Sequence, residues 1–368
     1  MGNPTYIIAG GGTGGHMYPG LAVADQISRN NPDAVVAFAC SNRPIDLEIL
    51  SSTDYISIPQ PTLPFRRNPF KMPSFLLAWY KSLRLARRVL DDLKPVSVLG
   101  LGGFAAGAVV REAARKSIPV AIMNPDIIPG RANRYLAGRV DAIFTQFEST
   151  AGEFPPELRG KVRKTGCPTR PGLLEGDREE ACRHFDLDPD CKTLIVFGGS
   201  ILAESITDSL CMLADDMDEF AEEWQILAIV GEKKLDFARQ VFNNRSISAT
   251  VLKYCYRMDL AYAVADLALT RGGAVTVAEL TATATPAVIM PYPYHSDRQQ
   301  YQNIAGLVKN GCARMVEDRC VPSINVEFLN ETLVPLMRDR AALEGMKAAA
   351  SKNAVSNAAE IIAGWMTG

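Results

Sequence analysis

A chain of 368 residues, 47% hydrophobic and 22% charged, is too long for one hydrophobic core and too apolar to stay disordered, so two domains of roughly 150–200 residues each are expected. A formal net charge of -2 excludes any general attraction to nucleic acid, and eight scattered cysteines with no Cys-x-x-Cys pair exclude a zinc ribbon and read as reduced thiols of a cytosolic protein. No basic-then-apolar leader opens the chain and no run approaches the roughly 20 apolar residues of a membrane span, which predicts a soluble protein still able to work at a membrane surface.

Short apolar runs alternate with segments of helical period, the pattern of parallel βαβ units. Strands are predicted at Tyr6–Ala9, Ala34–Ala39, Val96–Gly100, Val120–Met123 and Ala142–Thr145, with helices such as Gly20–Arg29 and Leu76–Leu93 between them. Near Gly166-Cys167-Pro168-Thr169-Arg170-Pro171 a glycine and two prolines interrupt both periods. The series then restarts at Thr193–Phe197 and continues through Gln225–Val230, Ala249–Leu252, Leu267–Leu269 and Ala287–Met290. An alanine-rich helix is predicted over Ala342–Trp365. The expected fold is α/β with two Rossmann-like domains facing a deep cleft: residues 1–168, with a terminal helix at 350–368 packing back on them, and residues 169–349.

Glycine clusters follow several of these strands. Gly10-Gly11-Gly12-Thr13-Gly14-Gly15-His16 comes between the first strand and a helix, where glycines admit a ligand to the backbone and the helix start offers unpaired N–H groups to an anion. It is neither a Walker A loop nor a clean dinucleotide fingerprint, and a tight turn serving packing alone is its alternative. Gly100-Leu101-Gly102-Gly103-Phe104-Ala105-Ala106-Gly107 repeats the arrangement, again as a binding turn or a packing device.

In the second half Phe197-Gly198-Gly199-Ser200 and Arg271-Gly272-Gly273-Ala274-Val275-Thr276-Val277-Ala278-Glu279 follow the same plan. The second of these sets Thr276 and helix-start N–H groups against phosphate, and Glu279 one turn on can accept from ribose hydroxyls, where an ordinary surface glutamate is only solvated. The prolyl loop Pro291-Tyr292-Pro293-Tyr294-His295-Ser296 opens a helix carrying Asp297, Gln299, Gln300 and Asn303. Amides both donate and accept, which suits sugar hydroxyls, while Asp297 reads equally as a helix cap.

With these motifs on the page, the chain resembles the MurG-type UDP-N-acetylglucosamine–N-acetylmuramyl-(pentapeptide) pyrophosphoryl-undecaprenol N-acetylglucosaminyltransferases over nearly its whole length. The anchors are Gly11 to His16 with Pro19-Gly20-Leu21-Ala22-Val23-Ala24, Pro129-Gly130-Arg131-Ala132-Asn133-Arg134, Thr165 to Arg170, Gly273 to Glu279, and Asp297 to Asn303. The resemblance implies a UDP-N-acetylglucosamine donor on the C-terminal domain and a polyprenyl-diphosphate acceptor on the N-terminal one. It implies that Thr13, Gly14 and Gly15 lie beside the reacting sugar. Arg170, Ser200 and Cys255 are carried over as donor contacts, Ala274, Val275, Thr276 and Glu279 as the surroundings of the α-phosphate and ribose. Gln299 and Gln300 are carried over as readers of the N-acetylglucosamine hydroxyls, with Asn303 supporting them. Gly102, Gly103, Phe104 and Asn133 are the acceptor contacts.

Three acceptor-side segments depart from the family pattern. Met123-Asn124-Pro125-Asp126 stands where the family has His-Glu-Gln-Asn, Phe104-Ala105-Ala106-Gly107-Ala108 loses two hydroxyls, and Leu202 replaces a phosphate-loop glycine. A different acceptor, such as a glycolipid or small metabolite, and a non-catalytic UDP-sugar-binding relative therefore stand as alternatives.

An inverting transfer needs a base for the acceptor hydroxyl and positive electrostatics for the leaving diphosphate. His16 at the first glycine turn is the first candidate base and Asp126 the rival, with His184 read as solvated surface and His295 as a loop-shaping residue. Asp186-Leu187-Asp188 lies in a charged connection, so no metal and no cofactor are expected, glycine-turn amides and helix dipoles serving the diphosphate instead. Phe65-Arg66-Arg67-Asn68-Pro69-Phe70-Lys71 followed by Phe75, Leu76, Leu77, Trp79, Tyr80 and Lys81 mixes basic and aromatic residues. It suits a surface resting on an anionic bilayer, against the alternative of a loop and a core-facing helix. The expected setting is the inner face of the cell membrane, with a lipid-linked acceptor, possible cell-wall synthesis proteins and no nucleic acid as partners.

Overall fold

A computed structural model of the chain describes residues 3–12, 14–65, 68–198, 204–352 and 357–368. The chain forms two compact units, Met1–Pro171 with Ser356–Gly368, and Gly172–Val355.

The first unit carries β1 (Thr5–Ala9), β2 (Val35–Ser41), β3 (Ile56–Gln60), β4 (Ser97–Gly100), β5 (Val120–Asn124), β6 (Ala142–Thr145) and β7 (Val162–Lys164). They form one parallel sheet in the order β3-β2-β1-β4-β5-β6-β7. Parallel strands buried on both faces need continuous apolar runs, which Tyr6-Ile7-Ile8-Ala9 and Ala121-Ile122-Met123 supply. Ile7, Val98, Ile122 and Ile143 pack with Leu83, Leu90 and Val110 from the covering helices, each such side chain contributing about 1.5–3 kcal/mol when fully buried.

The second unit repeats the plan with β8 (Lys192–Phe197), β9 (Trp224–Ile229), β10 (Ala249–Leu252), β11 (Ala265–Thr270), β12 (Ala287–Ile289) and β13 (Ala313–Met315). Its parallel order is β10-β9-β8-β11-β12-β13. Trp224 is fully buried and its indole N–H donates to the carbonyl of Met337 at 3.1 Å, tying the helix Pro322–Arg338 to the sheet.

Three expectations change. The first helix starts at Gly14, not Gly20, and holds Pro19 inside it. Pro19 is the sixth residue of this helix, past the N–H groups that lack helical partners, so it forgoes the bond to the Gly15 carbonyl and the helix continues through it. The single helix expected over Ala342–Trp365 is two: Arg340–Ser351 in the second unit and Ala358–Thr367 in the first. The division between units falls after Pro171, so Thr169, Arg170 and Pro171 go with the first unit. The terminal helix is fastened there by the Ser97 hydroxyl, which donates to the Met366 carbonyl at 2.8 Å, and by Trp365 edge-on to Phe144.

Candidate functional site

In each sheet the strand order reverses once, between β1 and β4 and between β8 and β11, and loops leaving the carboxyl ends at such a point diverge to leave a crevice. Register puts the paired turns level with one another: Ala9 faces Gly100, and Phe197 faces Thr270. All four glycine turns predicted from sequence start at these two reversals.

In the first unit the turn after β1 is held by side chains the sequence reading did not single out. Asp46, in the first turn of the helix Pro44–Ser51, is 0% exposed. Its two carboxylate oxygens accept from the Gly12 N–H at 2.7 and 3.0 Å, and Oδ2 also accepts from the Ser41 N–H at 3.2 Å and the Ser41 hydroxyl at 2.5 Å. Arg43 Nη1 donates to the Gly12 carbonyl at 2.7 Å, and its guanidinium lies over the Phe104 ring, 5.2 Å from the centroid. A side chain at Gly11 would collide with the Asp46 carboxylate.

The second turn closes against the first. Gly103 has φ +70°, and a Cβ there would stand 2.9 Å from the Gly11 carbonyl oxygen and 3.3 Å from His16 Cδ2. His16, in the first turn of the helix Gly14–Asn30, keeps a half-exposed residue surface but a ring enclosed by protein. Burial depresses its pKa below the usual histidine value, against the opposing pull of the Asp126 and Asp46 charges and a backbone hydrogen bond at Leu101. Nδ1 is sealed from solvent with no hydrogen-bond partner among the described residues, so the bond to Leu101 falls to Nε2. The neutral ring thus has an unused lone pair at Nδ1, on a nitrogen that this arrangement closes to a bound hydroxyl.

Asp126 lies on the loop after β5, half-buried, close enough for its charge to act on His16. Asn133 is buried and committed to structure: its Nδ2 donates to the Met123 carbonyl and to Asn124 Oδ1, both at 3.0 Å, and its amide abuts Gly102. Of the amide expected to contact an acceptor only Oδ1 is left over, and it is sealed from solvent with no partner among the described residues. Arg170 stacks over the Tyr18 ring at 3.9 Å, and Tyr18 borders Gly14, so this cation belongs beside the first glycine turn. Gly15 lies in the same first helical turn.

In the second unit β11 runs into Arg271, buried and paired with Asp318 at 2.7 Å. Arg271 also donates to the Met290 carbonyl at 2.9 Å and to the Ser205 hydroxyl at 2.7 Å. Burial would raise the Asp318 pKa, but hydrogen bonds from Ser205, the Cys320 N–H, Asn325 and Arg271 outweigh it and hold the carboxyl below its usual range. This network anchors the turn Gly272-Gly273, from which the helix Ala274–Ala282 starts with Ala274, Val275 and Thr276 in its first turn.

The helix Gln299–Lys309 is bound to the same turn. Gln300 Oε1 accepts from the Gly272 N–H at 3.1 Å and the Tyr292 N–H at 2.8 Å, and Asn303 Nδ2 donates to the Gly272 carbonyl at 3.3 Å. The expectation that Gln300 offers both donor and acceptor to a sugar is corrected: its oxygen is used by backbone, leaving only the NH₂. Gln299 makes no side-chain hydrogen bond among the described residues, and its N–H is capped by Asp297 Oδ1 at 3.2 Å. Glu279 is 2% exposed and its Oε2 accepts from the Tyr262 hydroxyl at 3.1 Å. It is a buried, oriented carboxylate and not a solvated one. Cys255 is buried, on the segment leading to the helix Met258–Val264 that carries Tyr262.

Thr13 and Ser200 lie outside the described residues. Among the described residues no cluster of three or more His, Cys, Asp or Glu side chains forms a metal-binding group. Asp46, Tyr262 and Asp318 are the groups sequence reasoning missed. Asp46 bonds Gly12 across 34 positions, and the other two pair across 17 and 47 positions with partners no local motif names.

Comparison with known proteins matches residues 6–145 to the glycosyltransferase family 28 N-terminal domain and residues 193–362 to the glycosyltransferase family 28 C-terminal domain. A protein of Thermodesulfovibrio yellowstonii named UDP-N-acetylglucosamine--N-acetylmuramyl-(pentapeptide) pyrophosphoryl-undecaprenol N-acetylglucosamine transferase is 32% identical over 93% of this chain and 92% of its own length. A protein of the same name from Christiangramia forsetii is 32% identical over 96% and 94%. Among solved structures, Acinetobacter baumannii MurG is similar with a TM-score of 0.73 at 22% identity, covering 99% of each chain. A Staphylococcus aureus MnaA-UDP co-structure gives a TM-score of 0.69 at 13% identity over 98% and 94%. At these identities the two structures speak for the fold alone.

Proposed function

Because the chain belongs to glycosyltransferase family 28, we propose that it transfers N-acetylglucosamine, with inversion, from UDP-N-acetylglucosamine to an N-acetylmuramyl-(pentapeptide) pyrophosphoryl-undecaprenol acceptor. The observation that carries this reading is the joint anchoring of Gln300 and Asn303 on the Gly272 turn. That one turn presents helix-start N–H groups for a diphosphate, the Gln299 and Gln300 amides for a hexosamine, and the helix bearing the oriented Glu279 carboxylate for a ribose. The names borne by the relatives agree with it.

In the mechanism, the His16 ring turns to bring its free nitrogen out of the protein and takes the proton from the attacking acceptor hydroxyl, with Asp126 favouring the imidazolium that results. The departing UDP is stabilised by N–H groups at the start of the helix Ala274–Ala282, without a metal ion. Transfer is expected to proceed undiminished in excess EDTA; loss of activity restored by Mg²⁺ or Mn²⁺ would refute this part.

The exposed face of the helix Met72–Leu93 supports a peripheral seat on the inner face of the cell membrane. Leu76, Leu77 and Tyr80 face solvent, Phe70 is 93% exposed, and Lys71 and Lys81 flank them. Arg66 and Arg67 of the same stretch lie outside the described residues. No helix among the described residues is long and apolar enough to cross a membrane, and wedged aromatics with flanking lysines match a surface-bound helix.

The deciding experiment is transfer of labelled N-acetylglucosamine to the muramyl-pentapeptide lipid, with calorimetry of UDP-N-acetylglucosamine binding alongside. Transfer supports the reading; binding without transfer to this lipid overturns the acceptor. The substituted segment Met123–Asp126 and the loss of hydroxyls at Phe104 and Ala106 favour, as a second reading, the same donor with another acceptor. A panel of glycolipid and small-molecule acceptors separates the two.

A further inference from the structure

We infer that Asp46 is a positioning residue for His16, acting with Arg43 by holding Gly12 at both its N–H and its C=O. The N–H of Gly12 is held by the Asp46 carboxylate and its C=O by Arg43 Nη1, so the two successive peptides that meet at the Gly12 Cα are each tied by one side chain. The clamp reaches the second glycine turn twice, through Arg43 over Phe104 and through Gly103 against the Gly11 carbonyl. His16 lies where these contacts meet, its ring against Gly103. Asp46 is fully buried and accepts at both oxygens, so its cost of burial is offset only while Gly12 and Ser41 keep this geometry.

The same contacts settle what the first unit's turn cannot be. In dinucleotide-binding folds the acid following the second strand faces the ligand and reads a ribose. Here the acid after β2 is turned inward and spends its lone pairs on the protein's own glycine turn. The Gly12 N–H is therefore closed to a phosphate, and a ligand at this turn meets the helix start and His16 instead. The groups whose charge bears on His16 are Asp126 from the loop after β5 and Asp46 from the helix Pro44–Ser51, with Arg43 beside Gly12 and Arg170 stacked on Tyr18 of His16's own helix.

This inference rests on the reading that the first unit's turn belongs to the transfer site, and its test has one arm independent of turnover. The chain has three histidines, so the His16 ring can be assigned by NMR and titrated in wild type, Asp46→Asn and Arg43→Met. Asp46→Asn removes a negative charge that favours imidazolium, so the His16 midpoint is expected to fall below its wild-type position, and the acid limb of kcat/KM with it. Misplacement of a reacting group by about 1 Å lowers kcat by up to roughly a hundredfold, so a loss of tenfold or more is expected in Asp46→Asn, with the KM for UDP-N-acetylglucosamine within about twofold. Arg43 is exposed, so Arg43→Met spares the core and keeps the test open if the other variant misfolds; a loss of about threefold or more is expected. An unmoved His16 midpoint in folded Asp46→Asn, or wild-type kcat in either variant, overturns the inference. A wild-type chain inert with every acceptor overturns the proposed function instead, while the titration still decides for or against Asp46.

Discussion

Gly103 is a residue at which no side chain fits: its φ is +70° and a Cβ would press on the Gly11 carbonyl. Gly103→Ala is expected to destabilise the first unit by roughly 1–2 kcal/mol from the backbone conformation alone, read as a lower urea midpoint. His16 has its folded pKa depressed, so the neutral ring's contribution to stability is full above the unfolded value of about 6.5 and is lost as pH falls toward the folded value. A thermal melt series should therefore decline below about pH 6.5 more steeply in wild type than in His16→Gln. Asp318→Asn leaves Arg271 buried without its counter-charge, and a loss of about 3–5 kcal/mol is expected on chemical denaturation. The glycines and amides of these sites were legible because each follows a strand and opens a helix. Asp46 was not, because its bond to Gly12 spans 34 positions and a first-turn acid ordinarily needs no explanation beyond the helix dipole.

Among the elements, the helix Met72–Leu93 has two separable faces. Ala78, Ser82, Leu83, Ala86 and Leu90 are buried, and Trp79 packs on Gly107, while Leu76, Leu77 and Tyr80 are exposed. Replacing Leu76 and Tyr80 by serine is expected to leave the unfolding midpoint unchanged and to weaken co-sedimentation with anionic vesicles. Trp79→Ala should lower stability by about 2–4 kcal/mol through lost packing. The helix was visible in sequence because its apolar positions recur at helical spacing. Strands β3, β7 and β13 were not, being three to five residues long and at or near sheet edges, with Pro59 inside β3 and charged residues inside β7. Central strands such as β1 and β5 were visible because burial on both faces demands an unbroken apolar run.

At the scale of the whole molecule, the fold is two copies of one plan, each with its own core, and the sequence declared this by restarting its strand series near Thr193. What periodicity could not declare is that the alanine-rich terminus is shared out, Arg340–Ser351 to one unit and Ala358–Thr367 to the other. Ending the chain before Ala358 removes the partners of Ser97 and Phe144, and calorimetry should then show a lowered transition for the first unit with that of the second unmoved. This division has a consequence for biosynthesis. As the chain emerges from the ribosome, the amino-terminal lobe must wait for the whole of its sibling to be translated before its last helix arrives. Until then the lobe bearing His16 is an unfinished nascent form, so maturation of the two lobes is staggered, with the first begun the last completed.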